Sequence, residues 1–118
     1  MRLRITYQIE QVPIDYRASF VSLFKEAIKT GDEDVYKAAY GDVSRFTKPF
    51  CFSVFFQNFK ITDDMIEIGG LTTLNISMLN FFSGTERDNR ISLALFNGLR
   101  SPKVRSFPFP NGQELQRK

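Results

Sequence analysis

Two arginines at alternate positions near the start of the chain are the side chains best placed for binding chemistry. The apolar residues between and after them predict a strand with one buried face, whose solvated face carries Arg2, Arg4, Thr6 and Gln8. Guanidinium groups beside neutral polar side chains suit contacts to phosphate better than the stacking of bases. The first strand therefore indicates an anion-binding surface.

The distribution of charge is more informative than its total. Sixteen basic and thirteen acidic residues give a net charge of +3, and a mildly basic balance permits an anionic partner without demanding one. Residues 1–30 carry five basic and three acidic groups, residues 31–85 four and seven, and residues 86–118 seven and three. Both ends of the chain are positive and the middle is negative.

The missing residue types limit the chemistry that we expect. The chain has no histidine and a single cysteine, Cys51, so the commonest neutral-pH base and metal ligand are absent and no internal disulfide can form. We expect no metal site and no cofactor, and we expect Cys51 to pack in the sheet as a small hydrophobe. The alternating N-terminus is unlike a signal peptide, and no apolar run approaches the roughly 18 residues of a membrane span. We expect a cytoplasmic protein.

The stretch from Lys48 to Phe59 contains five phenylalanines in twelve residues and is predicted to run through the middle of the core. At period two, one face is wholly apolar and the other is mixed, which predicts a mostly buried strand. The apolar face would be formed by Phe50, Phe52, Val54 and Phe56. Pro49 fits the first position of a strand, where no ladder hydrogen bond is lost.

Three helices are expected around these strands. The first begins after Asp15 as N-cap, with an apolar stripe at spacings of three and four, and stops at Gly31. A short second helix is capped by Asp32 and runs to about Tyr40. The third, from Thr85 to Ser101, ends before a proline.

The remaining signals concern turns and the last strand. Gly69-Gly70 predicts a tight hairpin connection with positive φ. A last strand is expected within residues 103–109, and Pro110-Asn111-Gly112 is a strong turn signal. Residues 113–118 hold one apolar residue, Leu115. They are expected either to form a frayed polar tail or to mark a chain that stops early, before a second half.

The order of strand, helix, strands, helix and strand predicts the α+β fold class. The economical arrangement is one ferredoxin-like (βαββαβ, RRM-like) domain spanning residues 1–118, with an antiparallel sheet and both main helices on one face.

Several segments together resemble the N-terminal half of the CRISPR-associated endoribonuclease that cuts repeat transcripts into guide RNAs, a member of the repeat-associated mysterious protein (RAMP) superfamily. These segments are residues 1–5 (Met-Arg-Leu-Arg-Ile), 12–17 (Val-Pro-Ile-Asp-Tyr-Arg), 27–29 (Ala-Ile-Lys), 48–56 (Lys-Pro-Phe-Cys-Phe-Ser-Val-Phe-Phe) and 95–99 (Leu-Phe-Asn-Gly-Leu). The resemblance implies an N-terminal RAMP domain whose second, C-terminal RAMP domain is absent from this chain.

The same resemblance implies metal-independent cleavage of precursor RNA, in which a ribose 2′-hydroxyl attacks the adjacent phosphate. That reaction needs a base, an acid and a cation for the phosphorane. The family's tyrosine, histidine and lysine positions fall on Lys25, Tyr40 and Lys48, so two of the three differ in residue type. Arg2, Arg4 and Arg45 are the candidates for RNA contact, and cleavage by this chain alone is expected to be slow or absent.

Several alternatives remain open. The chain could be a single RNA-recognition module, although its first strand lacks an aromatic platform. It could be a non-catalytic RNA-binding or scaffold RAMP subunit that docks on other CRISPR complex subunits. A small-molecule sensor has no support beyond the fold. The expected partners are CRISPR repeat RNA and a C-terminal RAMP domain, and a sheet edge left exposed by a missing domain would favour a homodimer.

Overall fold

A computed structural model describes residues 2–40, 50–78 and 86–118 of the chain. These residues form eight strands, three α-helices and one short 3-10 helix at Pro102–Val104. The strands are β1 (Arg2–Gln8), β2 (Gln11–Pro13), β3 (Phe50–Phe56), β4 (Phe59–Ile61), β5 (Met65–Ile68), β6 (Thr72–Met78), β7 (Ser106–Pro108) and β8 (Glu114–Arg117). The helices are α1 (Tyr16–Gly31), α2 (Glu33–Tyr40) and α3 (Glu86–Arg100). The fold class is α+β, with antiparallel pairing throughout the described strands.

The strands are divided between a five-stranded sheet, in the order β3-β6-β1-β8-β7, and a three-stranded sheet, in the order β2-β5-β4. The small sheet continues three neighbouring strands of the large one, because β2 follows β1, β4 follows β3, and β5 precedes β6. The chain bends where they meet: Ile68 N donates to Glu10 O at 2.9 Å, Gly69 N donates to Asn58 O at 3.0 Å, and Asn58 has φ 53°. The sequence predicted one sheet, and this shared bend divides it into two.

The hairpin that was predicted at Gly69-Gly70 does not form, because β5 and β6 belong to different sheets. The β4–β5 hairpin turns at Thr62–Asp64, where Thr62 N donates to Met65 O at 2.8 Å. The two glycines instead join β5 to β6 at the bend, and neither has positive φ. The prediction was wrong because a Gly-Gly pair permits a close turn without requiring one.

The phenylalanine-rich strand β3 lies at an edge of the five-stranded sheet, not in the middle of the core. Its predicted apolar face packs on α1, with the rings of Phe24 and Phe52 4.8 Å apart and those of Tyr16 and Phe56 4.9 Å apart. On the other face Cys51 is exposed and Phe55 is 61% exposed. The expectation that Cys51 packs inside the sheet was therefore wrong, because this face carries no covering layer among the described residues.

Helices α1 and α3 both contribute to one core, and they cross very closely. The predicted stripe of α1 is confirmed, since Phe20, Leu23, Phe24, Ala27 and Ile28 are buried. A Cβ atom added at Gly98 would overlap the carbonyl group of Ala27, and one added at Gly31 would overlap that of Ala94. Gly31 therefore serves close packing rather than a left-handed helix end.

The N-caps of the first two helices differ from each other. Asp15 precedes α1 but makes no side-chain capping bond. The Asp32 carboxylate caps α2 as predicted, accepting from Asp34 N at 3.1 Å and Val35 N at 3.2 Å.

The C-terminal residues form strand β8, which is inserted between β1 and β7. The predicted turn is present, since Phe109 N donates to Gln113 O at 2.8 Å and Gly112 has φ 83°. Leu115 is fully buried. The expectation of a frayed polar tail was wrong because pairing with two strands orders a segment that has a single apolar side chain.

Tyr7 on β1 gives the protein a specific sensitivity to alkali. Burial raises the pKa of Tyr7 to about 12, although the charge of Arg117 acts in the opposite direction. The Tyr7 hydroxyl has no hydrogen-bond partner among the described residues. Because the ordinary value is about 10, the stabilisation from a neutral Tyr7 is fully present below about pH 10 and is lost as the pH rises towards 12.

We therefore expect Tyr7→Phe to remove part of the alkaline loss of stability. At pH 7 the variant should lie within about 1 kcal/mol of the parent in free energy of unfolding, because no hydrogen bond is lost. At pH 11 the variant should gain about 1 kcal/mol relative to the parent. Urea titrations of both proteins at the two pH values measure the difference, and parallel pH profiles would contradict the burial argument.

Candidate nucleic-acid interface

The face of the five-stranded sheet that points away from α1 is open among the described residues. Alternation along β1, β6 and β3 places polar side chains on this face, and antiparallel pairing arranges them in rows. The rows are Arg2–Ser77–Cys51, Arg4–Asn75–Ser53 and Thr6–Thr73–Phe55. Neighbouring rows on one strand are two residues apart, which is about 7 Å.

The first two rows line a shallow depression of 430 Å³ in this open sheet face. Among the described residues, its lining contains two arginines, one amide and two hydroxyl groups, and no acidic residue. Arg4 Nε donates to Asn75 Oδ1 at 3.1 Å. This bond occupies the amide oxygen of Asn75, so its NH₂ group is the part left to donate to a ligand.

The geometry suits an extended phosphate chain with an unstacked base. Arginine binds phosphate oxygens through charge-assisted hydrogen bonds, and serine and asparagine add neutral donors. Phe55 lies in the row next to this depression and is 61% exposed, which fits an aromatic side chain on which a base stacks. Glu114 lies on β8 opposite Pro108, on the far side of β1 from β6 and β3, and Ser106 Oγ donates to its carboxylate at 2.5 Å.

The structure separates the predicted RNA-binding arginines from the predicted catalytic lysine. Arg2 and Arg4 are exposed on the open sheet face, whereas Lys25 is exposed on α1, which packs on the opposite face. Tyr40 is the last residue of α2, and its side chain lies outside the described part. Arg45 and Lys48 also lie outside the described residues. The structure therefore places only Arg2 and Arg4 of the predicted site together.

The contribution of β3 to this surface was only partly predicted. The sequence indicated a mixed face for β3, and the open rows of β1 and β6 follow from their alternation. That Ser53 lies beside Asn75, and Phe55 beside Thr73, depends on the β3–β6 register. Period two assigns a side chain to a face, but it does not say which strands are neighbours.

Within residues 2–40, 50–78 and 86–118, no group of three or more His, Cys, Asp or Glu side chains could hold a metal ion. Over the same residues, no helix has the length and apolar character needed to cross a membrane. Comparisons with protein-family models, with curated proteins and with solved structures found no match.

Proposed function

We propose that this chain binds single-stranded RNA on the open face of its five-stranded sheet, as a non-catalytic RAMP-like domain. The observation that carries the proposal is the depression around Arg2 and Arg4, whose lining, in the part of the chain that the structure describes, has polar donors and no acidic residue. Exposed Phe55 adds a surface for a base in the adjacent row. Two cations and one aromatic ring suit the backbone and a base of a flexible strand better than a rigid duplex.

We further propose that the large sheet and its two longer helices are a ferredoxin-like unit. The order β8-β1-β6-β3 within the sheet supports this proposal. Helix α1 follows β1 and precedes β3, which lies on the far side of β6 from β1. Helix α3 follows β6 and precedes β7 and β8, which lie on the other side of β1. These two crossing connections are the pattern of a βαββαβ domain. The small sheet and β7 are then additions to that unit.

The endoribonuclease activity that the RAMP resemblance implies stays a prediction. It needs Lys25, Tyr40 and Lys48 to meet around one phosphate. Tyrosine titrates near 10 and is a weak base at neutral pH, so this set would act slowly without another general base. Binding by the open sheet face does not depend on this cluster, and the two activities can be measured separately.

The binding proposal is tested with the double variant Arg2→Gln/Arg4→Gln. Fluorescence anisotropy of a labelled, unstructured RNA in EDTA, measured over a series of salt concentrations, gives the affinity and its salt dependence. We expect the variant to lose about tenfold or more in affinity for single-stranded RNA. The slope of log affinity against log salt should fall by about 1.4, which is two phosphate contacts at roughly 0.7 each.

The matched control is Lys37→Gln/Lys60→Gln, which removes the same charge from exposed positions on α2 and β4. It should keep the parent's affinity and slope. Phe55→Ala should weaken binding with little change in slope, because base stacking involves no phosphate. Equal losses in both double variants would mean that only net charge matters, and this would overturn the site assignment.

The same RNA samples, and a labelled CRISPR-repeat RNA, are run on a denaturing gel to test for cleavage. A discrete product with a cyclic phosphate that disappears in Lys48→Ala would support the nuclease prediction. Salt-sensitive binding without a product supports the non-catalytic proposal. Absence of binding to any RNA, together with stable association with another protein, would overturn it in favour of the scaffold alternative.

A further inference from the structure

A second cationic depression lies at the edge of β1, next to the open sheet face. It has a volume of 670 Å³ and lies between the first half of β1 and the C-terminal end of α3. The described residues that line it include four cations, namely Arg4, Arg100, Arg117 and Lys118, and none of them is acidic. We call this depression the edge groove.

The edge groove exists because β8 covers only part of β1. The two strands pair at Tyr7 and Gln8, and Lys118 N adds one bond to Thr6 O at 2.9 Å. Beyond this point β1 has no strand neighbour on that side among the described residues. Backbone groups of β1 and the cationic side chains therefore share one concave surface.

Two of the cations contact groups near the C-terminal end of α3. Arg117 donates from its guanidinium group to Leu99 O, near the end of α3. The guanidinium carbon of Arg100 lies 5.2 Å from the ring centre of Phe96, which also lines the groove. An arginine that already makes such a contact in the free protein loses less side-chain freedom when it binds phosphate than a mobile lysine does.

Arg4 lines both the depression on the open sheet face and the edge groove. A third depression, of 350 Å³, shares Arg117 with the edge groove and adds Lys103 and Arg105. The two basic ends of the chain therefore meet on one side of the molecule. The acidic turn at Asp63 and Asp64 lies at the end of the small sheet, where Ile14 N donates to Asp64 O at 3.3 Å.

We propose that an RNA strand bound on the open sheet face passes over the uncovered edge of β1 and places further phosphates in the edge groove, on Arg100, Arg117 and Lys118. This inference rests on the proposed RNA binding, and it extends the footprint from one depression to two. The shared arginine, Arg4, contacts the strand at the crossing point. An RNA long enough to occupy both depressions binds more tightly than one that fills only the first.

The test compares RNA length with the site of substitution. Arg100→Gln/Lys118→Gln removes two exposed cations of the edge groove and leaves Arg117 to hold the end of α3. Anisotropy titrations use unstructured RNAs of about four and about twelve nucleotides. For the longer RNA we expect about a tenfold loss of affinity and a decrease in salt slope of about 1.4. For the shorter RNA we expect little change.

Three outcomes separate this inference from the proposal beneath it. Loss confined to the longer RNA supports the crossing path. If Arg100→Gln/Lys118→Gln binds both RNAs like the Lys37→Gln/Lys60→Gln control, while Arg2→Gln/Arg4→Gln still weakens them, the path is wrong and the binding face stands. If neither RNA binds the parent protein, the proposed function fails. Circular dichroism of each variant checks that it is folded.

Discussion

Gly98→Ala is expected to lower the free energy of unfolding by about 2 kcal/mol, although alanine is the better helix former. A Cβ atom at this position overlaps the Ala27 carbonyl group. That group belongs to the backbone of α1, so no change of rotamer can relieve the overlap. The two helices must move apart, and overpacking of this kind costs about 1–3 kcal/mol, occasionally more.

The competing effect is smaller. Gly→Ala in a helix interior gains about 1 kcal/mol in propensity, which would make the variant more stable if α3 were isolated. The separation of α1 from α3 would also disturb Ala27, Ala94 and Leu95, which are buried in the same core. The steric cost therefore exceeds the gain in helix propensity, and the net change in stability is a loss.

Urea denaturation of Gly98→Ala and of Asn97→Ala measures this balance. Asn97 is exposed and precedes Gly98 in the same helix, so its replacement reports propensity alone and should gain a few tenths of a kcal/mol. If Gly98→Ala were as stable as the Asn97→Ala control, the close crossing of α1 and α3 would be wrong.

The parts of the fold that could be predicted from sequence are those set by local periodicity. The stripe of α1 and the alternation of β1 follow directly from the order of apolar residues, and Asp32 signals its helix start through its own side chain. The close approach at Gly98 could not be predicted in this way, because it depends on residues about seventy positions apart in sequence. The same limit explains β3, which holds four of the five phenylalanines that suggested a central strand. The period of apolar residues tells which face of a strand a side chain occupies, whereas only the long-range pairing of strands tells which strands are adjacent.

The candidate site shows the same division. Arg2 and Arg4 were identified because alternation places both on one solvated face. The groove cations Arg100, Arg117 and Lys118 were counted only as part of a basic C-terminal segment. The pairing of β8 with β1 places this segment beside the N-terminal arginines. No local sequence pattern predicts that pairing. A charge imbalance at both ends of a chain is therefore worth testing as one surface whenever the two ends are adjacent in space.

Leu115→Ala is expected to destabilise the protein by about 2–5 kcal/mol, the usual range for truncating a fully buried leucine. Leu115 is 0% exposed on β8 and pairs with Phe107 on β7. Its loss leaves a cavity beneath the sheet and weakens the packing that holds β8 beside β1.

The control for this prediction is Gln116→Ala, at the exposed neighbouring position on β8, which should change stability by no more than about 0.5 kcal/mol. Urea denaturation gives both values, and an unchanged m-value would show that the native and denatured states keep their extent of exposed surface. A frayed polar tail would make the two variants equally harmless. A loss confined to Leu115→Ala would instead establish β8 as a core strand. The edge groove depends on that strand, because β8 carries Arg117 to the end of α3.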